Sequence, residues 1–260
     1  MAVHQCARFN NDPRMPHEKA AKRIVRYLRG TQEKGMILNP EPKKGLECFV
    51  DADFAGGFSK YNPEDPTSCL SRTGYIITYA NCPIIWSSKL QSTTALSTTE
   101  AEYLALSAAL RDVIFVLHLL DELGIFGVDL VAAKPVVRCK VFEDNCRALE
   151  LAKAPKLRPR TKHIAIPYHH FREYVAKGRI ILQYVNTKEQ VADIATKPLP
   201  RDQFRKLRDR LLGWEGNIGT RGSVGGVLSD VPPNPSTNAA TKIVELNQSN
   251  QDPLVLEKVK

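Results

Sequence analysis

Between residues 46 and 90 the chain carries three short apolar runs separated by turn formers. Residues 46–53, Leu-Glu-Cys-Phe-Val-Asp-Ala-Asp, read as a first strand. The stretch 56–71 is rich in Gly, Asn, Pro and Ser and reads as a loop. Residues 74–79 and 84–88 read as two further strands, joined by Asn81-Cys82-Pro83. Three successive strands with short links predict an antiparallel meander. The apolar period then lengthens to that of a helix. Ser97-Thr98-Thr99-Glu100 has the form of a capping box, and the helix it starts should run to about Leu123 and end at Gly124. A fourth strand over 136–142, a helix over 145–152, a basic connector over 153–162, a helix over 166–176, a fifth strand over 179–185 and helix from about Lys188 complete the pattern. The order βββ-α-β-α-α-β-α predicts an α/β fold, a mixed five-stranded sheet flanked by helices.

Outside that region the pattern changes. Residues 1–45 form a basic lead-in with a helix over 17–29, whose apolar stripe is Ala20, Ala21, Ile24, Val25 and Leu28 and whose C-cap is Gly30. Its remaining faces carry Lys19, Lys22, Arg23, Arg26 and Arg29, readable as a solvated surface or as one that follows phosphates. From residue 216 Gly, Ser, Asn and Pro dominate and periodicity is lost, so 216–260 read as a largely disordered tail. The folded domain is expected over 46–215.

Against this frame four acidic residues stand out: Asp51 at the end of the first strand, Glu102 early in the long helix, Asp144 after the fourth strand and Asp193 opening the last helix. Each has an ordinary explanation by itself. A lone Glu near a helix start is more often a local hydrogen-bond partner, Asp144 could be an N-cap, and Asp193 could answer a helix dipole. Asp53 shares a face with Asp51, and Glu100 lies about 200° around the helix from Glu102. The strand holds Asp51 better than Asp53, and Glu102 shares the apolar face of Ala105, Leu106, Ala109 and Val113. Four converging carboxylates cannot all stay ionised without a counter-charge, and paired Mg²⁺ ions with phosphodiester cleavage is the usual use of such a set.

Composition narrows the setting. The chain has 260 residues, 43% of them hydrophobic, and a net charge of +9, which favours an anionic partner. Its six cysteines form no C-x-x-C pair, so a zinc knuckle is not expected and free thiols in a reducing compartment are. Cys48 and Cys139 sit in strand runs and read as core residues. No apolar run is read as a membrane span, and no signal peptide is read at the start. Tyr75 and Trp86 read as core aromatics.

The motifs, in order, resemble the ribonuclease H domain of copia-type retrotransposon polyproteins. They are Val50-Asp51-Ala52-Asp53-Phe54-Ala55-Gly56, Ser71-Arg72-Thr73-Gly74-Tyr75, Ile85-Trp86-Ser87-Ser88-Lys89-Leu90-Gln91-Ser92, and Leu96-Ser97-Thr98-Thr99-Glu100-Ala101-Glu102-Tyr103. Glu143-Asp144-Asn145, Arg160-Thr161-Lys162-His163-Ile164 and Ala192-Asp193-Ile194-Ala195-Thr196-Lys197-Pro198-Leu199 follow. The resemblance covers roughly residues 1–213, and residues 1–45 resemble the end of the reverse transcriptase, its thumb and connection region.

That resemblance implies an RNase H-like fold and metal-dependent cleavage of the RNA strand of RNA–DNA hybrids during reverse transcription. It makes Asp51, Glu102, Asp144 and Asp193 the catalytic, metal-binding carboxylates for two Mg²⁺ ions, with Mn²⁺ as a substitute. It offers Lys89, Gln91, Ser92, Asn145, Arg160 and Lys162 as nucleic-acid contacts. The implied partners are the hybrid and the reverse transcriptase domain of the parent polyprotein, with no membrane. The implied location is intracellular, in a cytoplasmic virus-like particle or the nucleus. Many cellular relatives carry a His in the loop before the last Asp; here that loop, 186–190, has none, which implies slower turnover. The competing expectation is an inert fragment that only binds nucleic acid.

Overall fold

The computed structural model describes residues 1–58, 66–126, 137–154 and 170–215. The five strands are β1 (Leu46–Asp53), β2 (Arg72–Tyr79), β3 (Cys82–Leu90), β4 (Cys139–Glu143) and β5 (Ile180–Tyr184). They form one sheet in the order β3-β2-β1-β4-β5. The meander β1-β2-β3 is antiparallel, and β4 and β5 run parallel to β1. This is the expected α/β arrangement, a mixed five-stranded sheet flanked by helices.

The helices are α1 (Ala2–Ala7), α2 (Met15–Arg29), α3 (Thr98–Ile125), α4 (Cys146–Lys153), α5 (Arg172–Ala176), α6 (Asp193–Thr196) and α7 (Arg201–Leu212). Strand β1 is central and covered on both faces, which explains its almost unbroken apolar run. Cys48, Val50 and Ala52 face a large core with α3, whereas Phe49 joins Ile76, Val191 and Ala192 in a second core under α6 and α7. Helix α3 supplies more of the large core than any other element. Leu106, Leu110 and Leu117 are wholly buried, each contributing roughly 1.5–3 kcal/mol by leaving water.

Several expectations change. Helix α3 has the length and apolarity to cross a membrane, contrary to the sequence reading, but most of its apolar window is buried inside the protein, as in a core helix. The β2–β3 link is not Asn81-Cys82-Pro83 but a two-residue turn at Ala80 and Asn81, both at positive φ (49° and 68°), the mark of a primed hairpin. Asn81 is held there by Lys44 Nζ, which donates to its Oδ1 at 3.0 Å, and by its own Nδ2, which donates to Glu41 Oε1 at 2.7 Å. Pro83 is tolerated because β3 is an edge strand.

Trp86 is not a core residue: it is 63% exposed. It shares a strand face with Ser88, which donates to Ala195 O at 2.6 Å, but four-residue α6 is too short to extend cover to the edge strand's Trp86. Tyr75 is buried as expected, its hydroxyl donating to Asp112 Oδ2 at 2.5 Å. Helix α2 buries none of its residues, and Val25 and Leu28 of its apolar stripe are exposed. The lead-in nonetheless touches the sheet domain. Ile37 N donates to Leu212 O at 3.0 Å, Trp214 Nε1 to Gly35 O at 2.8 Å, and buried Arg72 bonds Gln5 Oε1 at 3.2 Å.

Candidate metal centre

The carboxyl ends of β1 and β4 lie side by side, and the first turn of α3 approaches them. Asp51 projects from β1 and is 1% exposed; Glu102, 7% exposed, comes from α3. Asp144 follows β4 directly. One carboxylate oxygen from each of these three lies within 4.8 Å of the other two. Asp144 is not the N-cap of α4. Asn145 is, its Oδ1 accepting from Arg147 N and Ala148 N at 3.0 and 3.1 Å, so the Asp144 carboxylate is free to face the cluster. Its Oδ2 accepts from Thr187 Oγ1 at 2.8 Å.

Asp193, the first residue of α6 and 1% exposed, stands beside this trio rather than within it. Lys197, one turn along, puts its ammonium 2.8 Å from Asp193 Oδ1 and 3.5 Å from Asp51 Oδ1. Thr196 donates its hydroxyl to Asp51 Oδ2. Gln203 of α7 reaches Asp193 Oδ2 at 3.5 Å. Two close approaches set α6 in place. Gln190, wholly buried, donates to Val50 O at 2.8 Å, next to Asp51. Gly74, paired with Asp51 across the sheet, has no side chain where a Cβ would come 2.5 Å from Thr196 Cγ2 and 2.9 Å from Ala195 Cβ.

Burial dominates the electrostatics. It pushes the Asp51 carboxyl up, against the opposing pull of Lys197 and the Thr196 hydroxyl. Glu102 is held well above the ordinary range by burial and then by Glu143, Asp51 and Asp144. Asp193 is raised to about 6 by burial, with Asp51 and Asp144 adding and Lys197 opposing. Burial also works against the charge of Lys197, but Asp51, Asp193 and Asp144 outweigh it and raise its pKa. Among the described residues, Glu102 Oε2 is buried without a hydrogen-bond partner. Three hard oxygen donors, one of them aimed at nothing, fit a Mg²⁺-, Mn²⁺- or Ca²⁺-class ion and not a thiophilic one.

Sequence reasoning missed the residues that hold this arrangement. Lys197 and Thr196 lay inside a recognised motif without a role, although the four-residue spacing of Asp193 and Lys197 is a readable helical ion-pair signal. Glu143 was also missed. It is fully buried, accepts from Asn145 N at 3.0 Å, and burial raises its pKa well above normal. Nothing in the alternation of β4 marks it as other than a core position. Asp53 is half-buried on the Asp51 side and stays outside the trio. Glu100 caps α3, its Oε2 accepting from Leu96 N at 2.8 Å.

Of the expected nucleic-acid contacts, Lys89, Gln91 and Ser92 line a groove with Thr73, Tyr75 and Arg111. The Gln91 amide nitrogen already donates to Thr73 Oγ1 and Ala101 O, at 3.1 and 2.8 Å, tying the strand to α3. Asn145 lines a second groove with Thr98, Thr99 and Asp144. Arg160 and Lys162 lie outside the described residues.

No family profile matches the chain. It is 36% identical over 210 residues, 81% of its length, to the retrovirus-related Pol polyprotein from transposon RE1 of Arabidopsis thaliana. It is 35% identical over 216 residues, 83% of its length, to that from transposon TNT 1-94 of Nicotiana tabacum. The chain spans 13% and 15% of those two polyproteins. Among solved structures, the N-terminal RNase H domain of a Mycobacterium tuberculosis protein aligns with 64% of this chain and 96% of its own, at 13% identity and a TM-score of 0.38. On the strength of the polyprotein relatives, the chain is a homologue of one segment of copia-type transposon Pol polyproteins.

Proposed function

We propose that this protein is a metal-dependent ribonuclease H that hydrolyses the RNA strand of RNA–DNA hybrids, leaving a 5′ phosphate and a 3′ hydroxyl. The observation that carries the reading is the trio Asp51, Glu102 and Asp144, with carboxylate oxygens within 4.8 Å of one another at the strand ends. Divalent cations held there, Mg²⁺ or Mn²⁺, would supply charge neutralisation and an activated water for attack on a phosphodiester.

The chain's own residues arrange the rest. Thr187 orients Asp144, Thr196 orients Asp51, and Lys197 offsets the charge that Asp51 and Asp193 share. In the two-ion form of the mechanism, Asp51 and Asp193 would hold the second cation with Lys197 displaced toward solvent, where a third of its side chain already lies. Lys89 and Ser92 sit where a hybrid strand could meet the protein beside α3. The reverse transcriptase domain of the parent polyprotein is the proposed protein partner. An intracellular site of action accords with six free thiols, two of them in the core.

The test is a gel assay on a labelled RNA–DNA hybrid with Mg²⁺ or Mn²⁺, comparing the wild type with Asp144→Asn. Metal-dependent cutting of the RNA strand, lost in the variant, is expected. Cleavage that survives Asp144→Asn would remove the site assignment. Hybrid binding without any cleavage would leave only a nucleic-acid-binding fragment.

A further inference from the structure

Away from the carboxylates, the last turn of α2 and the middle of α7 close on a basic pocket of about 460 Å³. Arg26, Tyr27 and Lys34 line one side, Arg205, Arg208 and Asp209 the other. The single carboxylate is already engaged: Arg208 Nε and Nη2 donate to Asp209 Oδ1 at 2.8 and 2.6 Å. Among the described residues no carboxylate forms an ion pair with Arg26, Lys34 or Arg205. Three uncompensated cations thus surround one concavity, a mutual repulsion that an anion would relieve.

Charge crowding on a surface is screened by solvent and would be weak by itself. The second observation is an aromatic support behind two of the lining cations. The Arg208 guanidinium lies 4.7 Å and the Lys34 ammonium 4.8 Å from the centre of the Trp214 ring. Trp214 is pinned through Nε1 to Gly35 O, and Tyr27 packs edge-on against Phe204 at 6.0 Å. The Lys34 ammonium held on this ring, with the guanidinium groups of Arg26 and Arg205 lining the same pocket, suits phosphate oxygens. The net charge of +9 fits a polyanion better than one small ion.

We propose that the α2–α7 pocket binds backbone phosphates of a nucleic-acid duplex, a second anchoring site apart from the carboxylate cluster. The proposal deepens the hybrid-cleavage reading and rests on it for the identity of the duplex. Helix α7 belongs to both sites: Gln203 faces Asp193, while Arg205 and Arg208 face the pocket. A strand seated in the pocket is therefore registered against the carboxylates through one 12-residue helix. Contacts of this kind position the duplex and do not read its sequence.

The test is hybrid binding by fluorescence anisotropy across a salt series in EDTA, using the full chain. Wild type is compared with Arg26→Gln/Lys34→Gln/Arg205→Gln and with Lys140→Gln/Lys153→Gln/Lys177→Gln, which removes the same charge elsewhere; circular dichroism checks the fold of each. The pocket variant should flatten the plot of log affinity against log salt by about 2–3, near 0.9 for each phosphate no longer neutralised, and weaken low-salt binding at least roughly tenfold. The control set should change the slope by less than about 1. No flattening, equal flattening by both sets, or no hybrid binding by the wild type overturns the proposal. A wild type that shows the slope change but never cleaves with Mg²⁺ or Mn²⁺ keeps the pocket and removes the nuclease reading instead.

Discussion

Lys197 places its ammonium 2.8 Å from Asp193 Oδ1, one helical turn away, and leans the same group toward Asp51 at 3.5 Å. Both carboxylates are almost sealed from solvent. Without a metal ion, this lysine is the cation that lets two buried acids coexist, and breaking a buried pair leaves an uncompensated charge. Lys197→Met should therefore lower stability in EDTA by about 2–3 kcal/mol, part of it restored by Mn²⁺ or Ca²⁺, which can take over the neutralisation. Urea unfolding with and without divalent ion measures both effects. An equal loss in the two conditions would show that Lys197 acts by packing alone.

Glu143 gives the contrasting case. It lies in the same acidic neighbourhood, yet burial raises its pKa well above normal and its Oε2 finds no partner among the described residues. Burial thus favours the neutral form of this carboxyl, so Glu143→Gln should change stability by less than about 1 kcal/mol. Glu143→Ala should cost about 2 kcal/mol or more, through a cavity and the lost acceptor for Asn145 N. Calorimetric titration with Mn²⁺ should give the same affinity for Glu143→Gln as for wild type, whereas Glu102→Gln should lose at least roughly tenfold.

The sheet was legible because its strands carry apolar runs with clear punctuation, and β1 appears at the residues its pattern predicts. Convergence of Asp51, Glu102 and Asp144 was legible because each sits at an element end on the same edge of the fold. What periodicity could not convey was tertiary cover. Trp86 looks like a core aromatic in a one-dimensional pattern, and only the shortness of α6 beside edge strand β3 leaves it exposed. The contacts of Lys197 and Thr196 with Asp51, and of Gln190 with Val50, likewise span 140 residues or more, and only the four-residue spacing of Asp193 and Lys197 left a local trace.

Gly74 shows how closely the second core is fitted to the site. A Cβ there would meet Thr196 Cγ2 at 2.5 Å and the Ala195 backbone carbon at 3.2 Å, and neither is a flexible chain end. Gly74→Ala should push α6 off β2, costing about 1–3 kcal/mol and shifting Thr196, Asp193 and Lys197 together. The signature is a combined loss: a lower melting temperature and weaker Mn²⁺ binding in one variant. Ala108→Gly, distant from the carboxylates on α3, should lower stability by about 1 kcal/mol without changing metal affinity. A Gly74→Ala protein with wild-type metal affinity would mean that α6 does not set the site.

The cluster also fixes the sign of the pH dependence. Asp193 is raised to about 6, first by burial and then by Asp51 and Asp144, from an unfolded value of about 3.9. Between those values the folded chain holds the proton and the unfolded chain releases it. The contribution to stability is therefore complete below about pH 4 and is lost as pH rises through about 6. For Asp193 alone this amounts to at most about 3 kcal/mol, and Asp51, Glu102 and Glu143 shift in the same direction. In EDTA, stability measured by urea unfolding should fall across that window, the reverse of ordinary acid denaturation. Divalent ions bind the ionised carboxylates and release protons, so their affinity should rise over the same window and added Mg²⁺ should recover stability at its upper end. The Asp193→Asn protein should show a shallower fall. Metal-free stability that climbs from pH about 4 to 7 would mean that these carboxylates ionise freely and do not form the buried cluster described.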